Sequence, residues 1–159
     1  VKLDPDTAHS NLVLSKDLRS VRCEPARLNL PNNPERFSFW RCVLGQESFQ
    51  EGRHCWEVEG EGEVEGGSWW AVGVAKESVK RKRRVVLSPE EGVWAIRHQK
   101  GQVEALTSSL TPQSLSPLPR RILVCLDCTQ GRVTFLNAVS GDEIFSFPPA
   151  SFHGEALYP

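Results

Sequence analysis

A few side chains in this sequence have the types and spacing that chemistry needs. Cys125 and Cys128 stand in a C-x-x-C spacing, the pattern of half a zinc site or of a dithiol redox pair. His98 and Asp127 are the candidate proton-transfer groups. Lys80-Arg81-Lys82-Arg83-Arg84 is a basic run of the kind that meets a polyanion or serves in nuclear localisation. Arg97 carries a flat, multi-donor group suited to a carboxylate or a peptide carbonyl. Trp69 is an aromatic of the type that anchors interfaces.

Each catalytic reading meets a simpler one. No second Cys or His pair lies at zinc-finger spacing and no βαβ pattern surrounds Cys125, so Cys125 reads as a core strand residue and Cys128 as a turn residue. His98 shares a strand face with Trp94 and Ile96 and reads as a structural histidine. Asp127 stands where a strand gives way to a turn and reads as a hydrogen-bond acceptor there. The basic run reads as a solvated connection, since like charges this close repel and extend. Arg84 is its candidate for a binding rim. Paired carboxylates, a nucleophile elbow and a phosphate loop are all missing from the sequence. No catalytic residue, metal ligand or cofactor is therefore expected, and the domain is not expected to be an enzyme.

The elements that position these residues are short strands. At 159 residues the expectation is one domain with a real core. Hydrophobic residues make up 39% and charged residues 25%, which excludes a disordered chain. A net charge of −1 gives no overall field for nucleic acid or a membrane surface, and neither partner is expected. No apolar run reaches membrane-spanning length. The five cysteines are an odd number and no signal-peptide pattern is present, which argues against a disulfide framework. They are expected to be small buried hydrophobes in a reducing, cytoplasmic setting. The absence of methionine, even at the start, suggests an excised domain.

Apolar and β-branched runs are punctuated by Gly, Pro, Asn, Asp and Ser about every ten residues, which predicts an all-β fold. Residues 4–9 fit one helical turn with Asp4 as cap and Pro5 at the first position. Leu12-Val13-Leu14 and Val21-Arg22-Cys23 are short strands, and residues 27–36 connect. Residues 39–44, 54–59, 70–74, 93–99 and 103–106 are further strands. Residues 60–67 are acidic, Gly-rich and built like a mobile loop. Ala71 and Gly73 share one face of their strand and leave a shallow floor that something can approach. Residues 107–119 cross the surface, and residues 122–127 form a central strand. A turn at Thr129-Gln130-Gly131 leads into residues 133–137. Trp56, Trp70, Trp94, Val72, Val124 and Phe135 are assigned to the core.

Ordered blocks along the chain carry a resemblance. They are Leu3-Asp4-Pro5, Cys55-Trp56-Glu57-Val58-Glu59, Trp70-Ala71-Val72-Gly73-Val74-Ala75, Leu87-Ser88-Pro89-Glu90 and the stretch from Leu126-Asp127 to Leu136-Asn137. In this order they resemble the PRY-SPRY (B30.2) family over essentially the whole chain. The resemblance implies a bent antiparallel β-sandwich of two sheets with an N-terminal PRY segment. The whole chain, 1–159, would be one such domain, with PRY over 1–45 and SPRY over 46–159. Family members continue past Leu157-Tyr158-Pro159 into a last strand, so one sheet edge is expected to be bare.

Such domains occur in tripartite-motif ubiquitin ligases, in butyrophilin tails and in some secreted toxins. The resemblance implies a module that binds a protein or peptide through a loop-framed groove. The first expectation is the substrate-recognition domain of a tripartite-motif ligase, whose RING would lie outside this chain. The second is the cytoplasmic domain of a butyrophilin-like receptor. Certain butyrophilins sense phosphorylated metabolites, but Ala71, Val86 and Glu104 stand where those sensors carry a histidine and basic residues. A pyrophosphate needs several fixed cations, so no phosphoantigen is expected. Arg97 and Gln99 fall where an antibody-binding relative has contact aromatics. Arg97 is either a ligand contact or a solvated side chain, and Trp69 either a rim anchor or a cover on the core edge. Leu136 replaces the family's usual aromatic and is expected to line the same groove. The partner-binding candidates are thus Trp69, Ala71, Arg84, Arg97, Gln99 and Leu136.

Overall fold

A computed structural model describes residues 1–61, 68–109, 111–113 and 119–159. Most of the acidic loop and part of the Ser/Thr/Pro stretch lie outside the described residues. The strands are β1 (Leu12–Leu14), β2 (Val21–Cys23), β3 (Arg53–Glu59), β4 (Trp70–Lys76), β5 (Val93–Gln99), β6 (Gln102–Ala105), β7 (Thr111–Gln113), β8 (Arg121–Asp127), β9 (Arg132–Asn137), β10 (Glu143–Ser146) and β11 (Leu157–Tyr158). They form a two-stranded ribbon β1-β2, a four-stranded sheet β10-β9-β8-β3 and a five-stranded sheet β11-β4-β5-β6-β7, with antiparallel pairing throughout.

Alternation decides what the two large sheets bury. From the five-stranded sheet, Val74, Trp94, Ile96, Val103 and Ala105 point inward. They meet Ile122, Val124, Leu126, Val133, Phe135 and Ile144 of the other sheet. Val124 and Phe135 are fully buried, and Trp56, Trp70 and Val72 pack partly buried against this core. His98 lies opposite Trp70 in the β4–β5 register and stacks on its ring at 5.1 Å, so it is a packing residue. Asp127 is the expected acceptor: its Oδ1 takes the Gln130 N–H at 2.9 Å and its Oδ2 meets Arg53 at 3.2 Å.

The outer face of the five-stranded sheet is divided. Toward one end, Ala75, Val93 and Ala95 are covered by Phe37, Leu44, Val79 and Leu106 in a second apolar cluster. The N-terminal segment therefore acts as a partial third layer. Its first turn forms as expected, with Thr7 N–H on the Asp4 carbonyl and Asp6 N–H on Asp4 Oδ1, and goes no further. The expected strand at 39–44 does not form. Its apolar residues are there to cover the sheet: Cys42 N–H bonds the Trp40 carbonyl and its own carbonyl accepts from His9. The one helical element among the described residues is a 3-10 turn at Pro89–Glu91.

Two further expectations are corrected. The basic run is only partly solvated. Arg81 donates to the carbonyls of Glu35 (2.9 Å) and Glu77 (3.0 Å) and lies over the Phe37 ring, while Lys82 Nζ donates to those of Asn33 (2.7 Å) and Arg36 (2.6 Å). No backbone N–H among the described residues takes these carbonyls, so the cations staple the N-terminal segment to the sheet. At the C-terminal end, Leu157 and Tyr158 pair with Lys76 and Ala75, so β11 lines that part of the β4 edge.

The cysteines also differ from expectation. Cys55 and Cys125 are register partners on β3 and β8, with Cα atoms 4.2 Å apart, and are joined by a disulfide. Pairing between strands 70 residues apart in sequence brings them together, which spacing cannot show. Cys125 thus does not partner Cys128, whose thiol is half-buried and has its pKa raised by burial and by Asp127. Burial pushes the Cys42 thiol up to about 11, so it is unreactive at neutral pH. Thiol titration of the unfolded, unreduced chain is expected to find Cys23, Cys42 and Cys128 alone. All five reacting without reductant would mean that the bond is open.

Candidate functional site

The uncovered end of the five-stranded sheet carries the candidate surface. Alternation on β5 sends Arg97 and Gln99 outward beyond Ala95, and on β4 it sends Ala71 outward beyond Gly73. The register sets Ala71 opposite Arg97 and Gly73 opposite Ala95. The floor expected at both small residues is narrower than that. A Cβ on Gly73 would stand 2.6 Å from Ala95 Cα, so its space belongs to the neighbouring strand. Ala71 is exposed and is the floor.

Arg97 is neither free nor solvated. A two-residue turn with positive φ at Lys100 (49°) and Gly101 (73°) brings β6 back, and Glu104 falls opposite Arg97. Glu104 Oε2 accepts from Arg97 Nε at 2.8 Å and Nη2 at 2.7 Å. The two side chains are only 18% and 15% exposed. The guanidinium also lies 5.6 Å from the Trp69 ring centroid. Arg97 is therefore held on two sides in one orientation, a pre-formed feature of the surface.

Trp69 continues into an aromatic row. Its ring lies 6.0 Å from that of Trp40, which meets Phe39 edge-on at 5.1 Å. The Trp40 indole donates to the Val85 carbonyl at 3.0 Å, which fixes the connector against the N-terminal segment. Exposed Arg84 precedes that anchor, and Val86, 66% exposed, follows it. The structure thus brings together Trp69, Ala71, Arg97 and Gln99, with Arg84 on the connector beside them. Leu136 does not join them. Phe135 and Val133 occupy the inner face of β9, so Leu136 points out of the four-stranded sheet, paired with Leu123 on the far side of the sandwich.

Two contributors escaped sequence reasoning. Trp40 lies in a connector without periodicity, so nothing assigned it a face. Glu104 was legible in principle, because a Gly-containing turn with Gln on both sides sets a cross-strand pair of opposite charge. Among the described residues, no three His, Cys, Asp or Glu side chains converge as a metal site requires. Among the described residues no helix is long and apolar enough to cross a membrane.

Comparison with known proteins shows the family. The SPRY-associated PRY family model matches residues 1–49, and the SPRY domain model matches residues 53–159. The chain belongs to the PRY-SPRY family. Butyrophilin subfamily 1 member A1 of Bos taurus is 46% identical over 154 residues, 97% of this chain and 28% of the relative. Butyrophilin subfamily 2 member A2 of Mus musculus is 45% identical over 157 residues, 97% of this chain and 29% of the relative. The chain therefore spans less than a third of these relatives. Among solved structures, the TRIM65 PRY-SPRY domain superposes with a TM-score of 0.79 at 23% identity, covering 99% of this chain and 80% of that one. Stonustoxin gives 0.75 at 25% identity, covering 99% of this chain and 24% of the toxin. The PRY-SPRY fold is all-β and of a class of non-catalytic interaction modules.

Proposed function

We propose that this PRY-SPRY domain recognises a protein or peptide partner on the uncovered end of its five-stranded sheet, as the cytoplasmic domain of a butyrophilin-type receptor. The observation that carries the reading is the Arg97 guanidinium, fixed by Glu104 and Trp69 at the end of an aromatic row. Rigid aromatic and arginine groups of this kind anchor interfaces because little side-chain freedom is lost on binding. The butyrophilin relatives, at 45% to 46% identity, favour the receptor reading over the ligase reading, whereas the likeness to TRIM65 speaks to fold.

A phosphoantigen does not fit this surface. Glu104 sets a carboxylate beside the cation at its centre, and Ala71 and Val86 supply no charge. Nucleic acid fits poorly too, since Arg81 and Lys82 of the basic run are bound to backbone carbonyls. The test is capture of cytoplasmic partners by the wild-type domain, quantified for face variants. Trp69→Ala and Arg97→Ala are expected to weaken the dominant partner by about tenfold or more. Leu136→Ala, on the far side, should leave it unchanged. A partner lost with Leu136→Ala and kept by Trp69→Ala would move the site to the other sheet. In an NMR titration with pyrophosphate metabolites the side-chain signal of Arg97 should not move.

A further inference from the structure

A second feature lies in the N-terminal segment, at the far end of the same aromatic row. An open cavity of about 360 Å³ is lined by His9, Asn11, Pro25, Arg27, Phe39 and Arg41. Its inner wall is fixed. Buried Asn11 donates from Nδ2 to the carbonyls of Glu24 (2.9 Å) and Pro25 (3.2 Å), and its backbone N–H donates to His9 Nδ1 at 3.0 Å. His9 is buried and its pKa is lowered, first by that burial and then by the positive charge of Arg27, with Arg41 adding to it. Arg27 and Arg41 thus both bring positive charge to the His9 side of the cavity.

These two cations have no carboxylate partner among the described residues. Arg22, Arg53, Arg97, Arg120 and Arg121 all pair with carboxylates. Arg27 and Arg41 form no ion pair among the described residues, and Arg41 Nη1 donates only to Cys23 Sγ at 3.4 Å. The nearby carboxylate of Glu24 is taken by Arg22 at 2.7 Å. Two guanidiniums without a carboxylate, at the mouth of a cavity with a fixed inner wall, are suited to receive an oxyanion.

We propose that this cavity is an oxyanion site that takes a phosphate or carboxylate through Arg27 and Arg41. Phe39 belongs both to its wall and to the row with Trp40, so an anionic side chain on a polypeptide lying along that row would reach it. The source of the anion rests on the recognition reading above, whereas the pocket itself does not.

The test uses the whole domain, titrated at constant ionic strength and followed by amide and arginine side-chain NMR. Inorganic phosphate is expected to produce saturable shifts at Asn11, Arg27 and Arg41 and at the His9 ring. Arg27→Gln, which removes no hydrogen bond among the described residues, should weaken phosphate by about tenfold. Leu136→Ala should not change it. N-acetylated phosphoserine amide binding more tightly than phosphate would place the anion on a polypeptide, and equal binding would make it free phosphate. Shifts that never saturate, or that centre on Arg83 and Arg84, would overturn the pocket. Arg27→Gln binding phosphate as wild type does would overturn it as well. None of these results bears on the loss of partner in Trp69→Ala, so the two readings fail separately.

Discussion

An alanine at Gly131 is expected to cost about 2–5 kcal/mol and to lower the melting temperature by roughly 10 °C. Gly131 closes the β8–β9 hairpin with φ at 68°. Any residue with a Cβ is strained there by about 1–2 kcal/mol. The larger part comes from contact. A Cβ at this position would run into the Ala150 carbonyl oxygen. That carbonyl cannot retreat cheaply, because the Ala150 N–H is itself bonded to the Gly131 carbonyl at 2.9 Å. Moving Ala150 also moves buried Phe152, which meets Trp94 edge-on at 5.0 Å in the main core. Forced overpacking of this sort costs about 1–3 kcal/mol. Gly141→Ala is the control, since φ is 79° there and nothing lies within 4 Å of the added carbon. It should lose only about 1 kcal/mol. Equal losses in urea denaturation of the two variants would rule out the contact with Ala150 as the cause.

Gly131 belongs to the part of the fold that was legible from local pattern. Alternation alone placed Trp94, Val124 and Phe135 inside, and the Asp127 to Gly131 turn announced its hairpin, because strand faces and tight turns are properties of neighbouring residues. Trp69, Ala71, Arg97 and Gln99 share a surface for the same reason, since β4 and β5 follow one another. What failed needed long-range register or layer assignment. Parity showed that Leu136 opposes Phe135, yet not which of two outer faces that is. Cys55 meets Cys125 only once β3 is known to lie beside β8. Cys42 and Leu44 are apolar because they cap a sheet, and a cap without a ladder has no period to read. Arg81 and Lys82 look solvated in sequence because the carbonyls they hold belong to residues far up the chain.

Removing either member of the Arg97–Glu104 pair should destabilise the domain more than removing both. The two carbons face each other across β5 and β6, and both side chains are more than four-fifths buried. Glu104→Ala leaves a guanidinium in a half-dry site with only the Trp69 ring beside it, and Arg97→Ala leaves a carboxylate with no cation. Each single variant is expected to lose about 2–3 kcal/mol, below the range for deeply buried pairs because some solvent reaches the site. Arg97→Met with Glu104→Leu replaces the charges by apolar groups of similar size. That double variant should lie within about 1.5 kcal/mol of wild type, since neither desolvation nor an orphaned charge remains. Because the double variant carries side chains different from those of the single ones, the three losses are compared with one another and are not summed as a mutant cycle. Urea denaturation of the four proteins measures them directly. Single losses below about 0.5 kcal/mol would show a water-screened pair. Arg97 would then be mobile on an exposed strand, and the surface would have no fixed donor to offer a partner.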